Sequence, residues 1–266
     1  STGFGGYTYL PKENAAKDIQ DRIAPRSVRM AAEDYLKMPP LVENRVYVEL
    51  PDKAQKMYDQ METLLFTQIK EGQVVNAVNA ASASMKCRQI ANGGIYVGDG
   101  AKEWEHVHTA KLEAVADLVE ELGGKPCLIA YEFKHDLERL LQVFPQADVL
   151  GGGVSPKKQR DIEDRWNAGL IPILLAQPQS VAHGLNLQGV GAAIIFHSLT
   201  WDLEVTEQFI RRVWRQGQQS RVVVHYVMAR QTIDYVIVDA VRAKDGAQRS
   251  LMTGLKQYMQ STMKGK

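Results

Sequence analysis

The chain has 266 residues, 45% of them hydrophobic and 24% charged, which is the composition of a globular protein with a sizeable core. Its Lys and Arg residues number 32 and its Asp and Glu residues 31, so the formal net charge of +1 excludes a protein that coats nucleic acid through bulk positive charge. The two cysteines, Cys87 and Cys127, exclude a disulfide framework, and the apolar runs are too short to cross a membrane. We therefore expect a cytoplasmic protein with no membrane partner.

The first 110 residues are polar and mostly helical in character. Residues 45–50, RVYVEL, alternate and contain β-branched side chains, which predicts a short strand. Asp52 precedes apolar residues at helical spacing and predicts the start of a helix. Residues 1–110 are therefore expected to form a helical extension.

From Lys111 onward, short apolar strands alternate with helices. The predicted helices cover residues 111–122, 134–143, 156–168, 205–215 and 232–242, and the predicted strands cover residues 127–131, 148–150, 171–176, 192–197 and 222–228. This alternation predicts an α/β domain over residues 111–245, with a mainly parallel sheet covered by helices on both faces, and a C-terminal tail or helix over residues 246–266. Ligands bind at the carboxyl ends of the strands in such sheets, so we expect the informative polar residues there.

The most informative segment is residues 208–218, QFIRRVWRQGQ. Arg212 and Arg215 are three residues apart and would share one face of the predicted helix, with Gln208 four residues before Arg212. Two guanidinium groups and an amide on one face can bind a phosphate. Taken alone, however, two arginines on an exposed helix are more often a solvated surface.

A second segment lies between two predicted strands. Residues 180–187, SVAHGLNL, offer a serine hydroxyl, small side chains and main-chain N–H groups, which suit contact with a phosphate backbone.

Together these segments carry a family resemblance. IPILLAQPQSVAHGLNL and AAIIFHSLTWDLEVTEQFIRRVWRQGQ resemble motifs V and VI of Swi/Snf-type superfamily 2 helicases, PCLIAYEF resembles motif IV, and RQTIDYVI resembles the closing helix. The motif VI pattern Q-x-x-x-R-x-x-R-x-G-Q is matched at every defined position. The resemblance covers roughly residues 111–244, extends to helicases encoded by phages and prophages, and implies the C-terminal RecA-like lobe of such a helicase.

The resemblance also implies roles for individual residues. Arg215 and Arg212 would neutralise charge on the γ-phosphate of ATP, and Gln208 would position the nucleotide or the attacking water. The remaining cleft residues would be Gly184, Asn186, Gly217 and Gln218. Contacts to the nucleic-acid backbone would come from Ser180, Lys157, Lys158, Arg160 and Arg211, although Arg211 could equally be structural.

A metal site is not expected in this chain. His106 and His108 form an H-x-H pair, but no further ligand cluster accompanies them. No GxxxxGK[ST] segment and no acidic motif for Mg²⁺ occurs, so ATP and Mg²⁺ would be bound only together with the N-terminal RecA-like lobe of the same protein. This chain alone is expected to be inactive as an ATPase.

The resemblance favours double-stranded DNA over RNA as the partner, in a bacterial or phage-infected cell. Two other functions stay open at this point. One is a stand-alone α/β module that binds a nucleotide or phosphate without motor activity, which the missing P-loop allows. The other is a degenerate lobe that acts only as a protein-interaction scaffold.

Overall fold

The computed structural model describes residues 38–71, 74–98, 103–151, 153–181, 184–190, 192–242 and 258–260. The strands are β1 (Leu41–Val48), β2 (Gly94–Val97), β3 (Glu103–His106), β4 (Cys127–Ala130), β5 (Asp148–Leu150), β6 (Ile173–Ala176), β7 (Ala193–Phe196) and β8 (Val222–Ala229). The helices are α1 (Asp52–Glu71), α2 (Val74–Asn92), α3 (Ala110–Glu121), α4 (Lys134–Val143), α5 (Pro156–Asn167), α6 (Pro178–Val181), α7 (Leu203–Val213) and α8 (Asp234–Arg242).

Six strands form one sheet in the order β1-β8-β7-β4-β6-β5, and every neighbouring pair in it is parallel. Strands β2 and β3 form a separate antiparallel pair. The predicted parallel sheet is confirmed. It forms because the central strands are apolar at every position, so both of their faces can be buried under helices.

The two faces of the sheet have separate hydrophobic cores. On one face, alternate strand residues such as Leu128 and Ile194 pack with apolar residues from α1, α2, α5, α7 and α8. On the other face, residues such as Ile129 and Ile195 pack with α3 and α4. Successive strand side chains point to opposite faces, so this division follows directly from the strand period.

The region before residue 111 contributes to the same sheet. Strand β1 covers residues 41–48 rather than the predicted 45–50, and it pairs with β8 over its whole length. Helix α1 begins at Asp52 as predicted. Helix α2 and strand β3 were not predicted, because the sequence of α2 lacks an apolar stripe and that of β3, EWEH, lacks apolar alternation.

Parts of the predicted extension and tail lie outside the described residues, namely residues 1–37, 72–73 and 99–102, and all of 246–266 except 258–260. In the part of the chain that is described, no helix combines the length and apolar character needed to cross a membrane.

Candidate nucleotide and nucleic-acid interface

The loops of the sheet meet at the two ends of its strands. We call the end at which the six strands begin the amino edge, and the end at which they finish the carboxyl edge. Helix α7 follows β7 and returns to the start of β8, so its last turn lies at the amino edge. Helix α5 begins just after β5 and α6 just after β6, so both begin at the carboxyl edge.

The predicted site residues therefore divide between the two edges. Asn186, Arg212, Arg215 and Gln218 precede strands and lie at the amino edge, whereas Ser180 follows β6 at the carboxyl edge. The expectation that the informative residues gather at the carboxyl ends of the strands is wrong for the first group. Ligand loops do gather at the carboxyl ends, but the return of each helix also brings residues to the opposite edge.

The end of α7 corrects a second prediction. The helix stops at Val213, and Trp214 has an extended backbone with φ −92° and ψ 91°. Arg215 is therefore not on the helix, and it does not share a helical face with Arg212. The indole N–H of Trp214 donates a hydrogen bond to the carbonyl of Pro39 at 2.8 Å, which holds the chain in this extended exit.

Beyond the helix, residues 214–218 form a turn that we call the motif VI turn. The N–H of Gln218 donates to the carbonyl of Arg215 at 3.1 Å, and Gly217 has φ +99°, a conformation that favours glycine. The side-chain amide nitrogen of Gln218 lies 3.1–3.3 Å from three carbonyl oxygens, those of Gln188, Val190 and Val213. Gln218 is only 5% exposed, so it holds the turn in place from inside.

The two arginines have different surroundings. Arg215 is exposed, and within the described residues its guanidinium has no hydrogen-bond or ion-pair partner. Arg212 is half-buried and donates from Nη1 to the carbonyl of Leu185 at 3.3 Å. Arg212 is therefore anchored, whereas Arg215 is available to an anion.

The loop of residues 184–190, which we call the motif V loop, runs beside the motif VI turn. Gly184 is exposed at its start, and the N–H of Leu187 donates to the carbonyl of Arg212 at 3.0 Å. Asn186 is half-buried and contacts α5 through its main chain. The structure thus places the motif V loop, which contains Asn186, against both Arg212 and Gln218.

Two polar residues of α7 are paired along the helix. Gln208 is half-buried and donates to Oε1 of Glu204 at 2.9 Å. Arg211 is exposed and donates to Oε1 of Glu207 from Nε at 3.1 Å and from Nη2 at 2.7 Å. Gln208 and Arg212 do share a helical stripe, as predicted.

At the carboxyl edge, Lys157, Lys158 and Arg160 are exposed on the first turns of α5. Their side chains have no partner within the described residues, although Ser155 caps the helix by accepting from the N–H of Lys158 at 3.4 Å. The Ser180 hydroxyl donates to Gln177, and the Gln177 amide donates to the carbonyl of Glu132 at 3.1 Å. These contacts link the segments that resemble motifs IV and V.

Sequence reasoning missed a buried polar network beneath the carboxyl edge. Lys111 Nζ lies 2.6 Å from Asp234 Oδ2 and donates to Asn92 Oδ1 at 2.9 Å. Asn92 donates to Ser198 Oγ at 3.0 Å, and Ser198 donates to Asp136. Asp136 also accepts from the N–H of Phe133 at 3.1 Å, so the network fixes the start of α4. No local signal predicts it, because its members are far apart in sequence.

Burial controls the protonation of the histidines in and beside this network. Burial lowers the pKa of His197 to about 3, and the charges of Lys111 and Arg139 add to the effect against an opposing contribution from Asp136. Burial likewise lowers the pKa of His108 to about 4. Burial alone would raise the pKa of Asp136, but its contacts with His135, His197 and Ser198 outweigh burial and hold the pKa well below its usual range. Both histidines are therefore neutral at pH 7.

Metal ligands are not assembled in the part of the chain described here, which contains no group of three His, Cys, Asp or Glu side chains suited to a metal ion. Of the H-x-H pair, His106 is exposed, whereas His108 is buried and bonded to the carbonyl of Ile90 at 2.8 Å. The residues that could hold part of a cofactor are the cations at the amino edge. Guanidinium groups suit the phosphates of a nucleotide.

Comparison with known proteins matches residues 110–217 to the family of the helicase conserved C-terminal domain. Protein p41 of Acyrthosiphon pisum secondary endosymbiont phage 1 is 37% identical over 256 residues, which is 94% of this chain and 52% of that protein. An uncharacterized ATP-dependent helicase of Mycoplasma genitalium is 25% identical over 230 residues, or 84% of this chain and 22% of the helicase. The chain thus spans about half of the phage relative and about a fifth of the mycoplasma helicase.

Solved structures share the fold. The C-terminal part of the Fun30 ATPase domain matches with a TM-score of 0.61 and 14% identity, over 85% of this chain and 99% of that one. The SWI2/SNF2 ATPase core of Sulfolobus solfataricus in complex with double-stranded DNA matches with a TM-score of 0.59 and 20% identity, over 85% of this chain and 49% of that one. Residues 110–217 are therefore similar to the helicase conserved C-terminal domain, and the chain shares the RecA-like fold of the solved Swi2/Snf2 ATPase lobes.

Proposed function

We propose that this chain is the second motor lobe of an ATP-dependent translocase that moves on double-stranded DNA. The observation that carries the proposal is the exposed guanidinium of Arg215, which has no partner among the described residues and lies on a turn that the buried Gln218 holds beside Arg212. A free arginine on a fixed support can stabilise charge that develops on a transferred phosphoryl group. The similar ATP-dependent helicase and the similar SWI2/SNF2 core support the same role.

In this proposal the nucleotide site is shared between two lobes. The sequence contains no GxxxxGK[ST] segment, so ATP and Mg²⁺ are bound by the N-terminal lobe, and this chain supplies cations from across the cleft. Arg215 stabilises the γ-phosphoryl group, while Arg212 remains tied to Leu185 and lines the cleft beside it. Gln208, Gly184, Asn186 and Gly217 shape the surrounding surface. The chain alone does not hydrolyse ATP.

The nucleic acid is placed at the opposite edge. Lys157, Lys158 and Arg160 contact the phosphate backbone with little base recognition, and Ser180 adds a hydroxyl from α6. Arg211 is a weaker candidate, because Glu207 already pairs with it. Because these are backbone contacts, binding falls with added salt and depends little on DNA sequence.

The test joins this chain to the N-terminal lobe of a two-lobe relative and measures ATP hydrolysis with and without duplex DNA. Arg215→Ala is expected to lower kcat about 10³-fold or more with little change in DNA affinity. Arg221→Ala removes another exposed arginine nearby and is the matched control, expected to retain the wild-type rate.

Equal rates for wild type and Arg215→Ala would reject the role of Arg215. Robust hydrolysis by the isolated chain that depends on Arg215 would reject the shared site. Stimulation by duplex RNA in place of duplex DNA would reject the choice of nucleic acid.

A further inference from the structure

The main chain of the motif V loop is held almost entirely by side chains from two other segments. Eight of its N–H and C=O groups have partners: the carbonyls of Leu185, Asn186, Leu187, Gln188 and Val190, and the N–H groups of Asn186, Leu187 and Gly189. Four of these groups bond to Arg212 and Gln218, so the loop and the motif VI turn form one unit. The other four groups bond to the end of α5.

Three residues near the end of α5 form hydrogen bonds to the motif V loop. Glu163 Oε1 accepts from the N–H of Asn186 at 2.8 Å, and the indole of Trp166 donates to the carbonyl of Leu187 at 3.0 Å. Asn167 makes two contacts of 2.8 Å, donating to the carbonyl of Asn186 and accepting from the N–H of Gly189. A Cβ at position 189 would lie 2.7 Å from Asn167, so only glycine permits this approach.

The helix itself is firmly held in the lobe. Ile162 and Trp166 are fully buried in the core, and Arg165 forms two parallel bonds to Asp148 at 3.0 and 2.9 Å. Bidentate pairs of this kind fix orientation as well as distance. These contacts tie helix α5 to strand β5 and to the core.

The two ends of α5 reach the two edges of the sheet. Its first turn carries Lys157 and Lys158 at the carboxyl edge, and its last turn carries Asn167 at the amino edge, roughly 15 Å away at 1.5 Å per residue. One rigid helix thus joins the proposed DNA contacts to the loop beside the arginines.

We propose that α5 couples DNA binding to the position of the arginines, with Glu163, Trp166 and Asn167 as the positioning residues. This inference rests on the proposed function, which places DNA at the first turn of α5 and the nucleotide at the amino edge. DNA bound by the first turn restrains the helix. The hydrogen bonds near the end of the helix transmit that restraint to the motif V loop. The loop then holds Arg212 directly and Arg215 through Gln218.

The test uses the whole chain and a short duplex of mixed sequence, and it follows amide hydrogen exchange at the start of α5 and in the motif V loop. In wild type, DNA is expected to slow exchange in both segments, by about threefold or more in the loop. In Asn167→Ala, DNA affinity and the effect at the start of α5 should persist, while the effect in the loop is reduced, because two of the four bonds between α5 and the loop are lost. Asp164→Ala, an exposed change on the same helix, is the matched control and should behave as wild type.

A Lys157→Ala/Lys158→Ala variant should lose the loop response together with the contact at the start of α5. If the loop still responds in that variant, or responds in Asn167→Ala as strongly as in wild type, the effect does not pass through α5 and the coupling is wrong. If DNA protects the start of α5 in wild type but leaves the loop unchanged, the coupling fails while the DNA contact stands. If DNA protects neither segment, the proposed DNA contact itself is rejected, and the coupling with it.

Discussion

The two edges of the sheet are held together in different ways. At the amino edge, side chains bind the main chain of one short loop, and the arginine that is free to react stays at the surface. At the carboxyl edge, side chains from separate helices and loops bind each other inside the core, as Lys111 and Asp234 do. At the amino edge, side chains therefore hold a main-chain loop near the surface, whereas at the carboxyl edge they form a buried frame with one another.

The largest expected effect comes from breaking the frame at its ion pair. Lys111→Ala should lower the free energy of unfolding by about 3–5 kcal/mol, because it leaves the carboxylate of Asp234 buried without its cation. Lys111 is fully buried, so its contact with Asp234 is not screened by bulk solvent. Urea denaturation of the purified chain measures the change.

The control for this prediction is Lys134→Ala, which removes an exposed pair with Glu138 at 3.5 Å. Exposed pairs contribute about 0.2–1 kcal/mol. Similar losses for the two variants would contradict the contrast between a buried frame and a solvated surface.

The buried frame could not be predicted from the sequence, unlike most of the helices and strands. The central strands and most helices were predictable because each has a local signal, such as the apolar run ILLA of β6 or the start of α5 at Pro156. The network was not, since Asn92, Lys111 and Asp234 meet only through the tertiary fold.

The site was predictable to a similar degree. The resemblance selected two segments that the structure places side by side, because the N–H of Leu187 in the motif V loop donates to the carbonyl of Arg212. It could not reveal that α7 ends before Arg215, because the motif VI sequence pattern extends beyond Val213, the last residue of the helix. It also gave no indication of Glu163 and Asn167, whose role depends on the loop packed against them.

A smaller effect is expected from acid. His197 is neutral in the folded state, with its pKa lowered by burial to about 3, whereas the unfolded chain binds a proton near pH 6.5. Below pH 6.5 the unfolded state therefore binds a proton that the folded state does not bind. The free energy of unfolding falls as the pH falls. The loss is about 1.4 kcal/mol per pH unit for this histidine, or roughly 2–3 kcal/mol between pH 6.5 and 4.5.

His108, with its pKa lowered by burial to about 4, adds a similar loss in the same window. Asp136, with its depressed pKa, contributes only below about pH 4, where its unfolded form takes up a proton. Denaturation curves at a series of pH values measure the combined slope. His197→Gln should reduce that slope by the share of one proton, and an unchanged slope would show that His197 is not held neutral by the frame.

The smallest expected effect is at the amino edge. Gln218→Ala removes the amide that lies near the carbonyls of Gln188, Val190 and Val213. The free energy of unfolding should fall by about 1–3 kcal/mol in all. The loss stays in this range because the loop is near the surface, where water can reach the carbonyls. Gln219→Ala, at the exposed neighbouring position, is the matched control and should change stability by less than about 0.5 kcal/mol. Hydrogen exchange should rise in the motif V loop of Gln218→Ala and stay unchanged at the start of α4, whose N–H contact belongs to the frame. A loss spread evenly over both edges would mean that they form one cooperative unit, which would contradict the contrast between them.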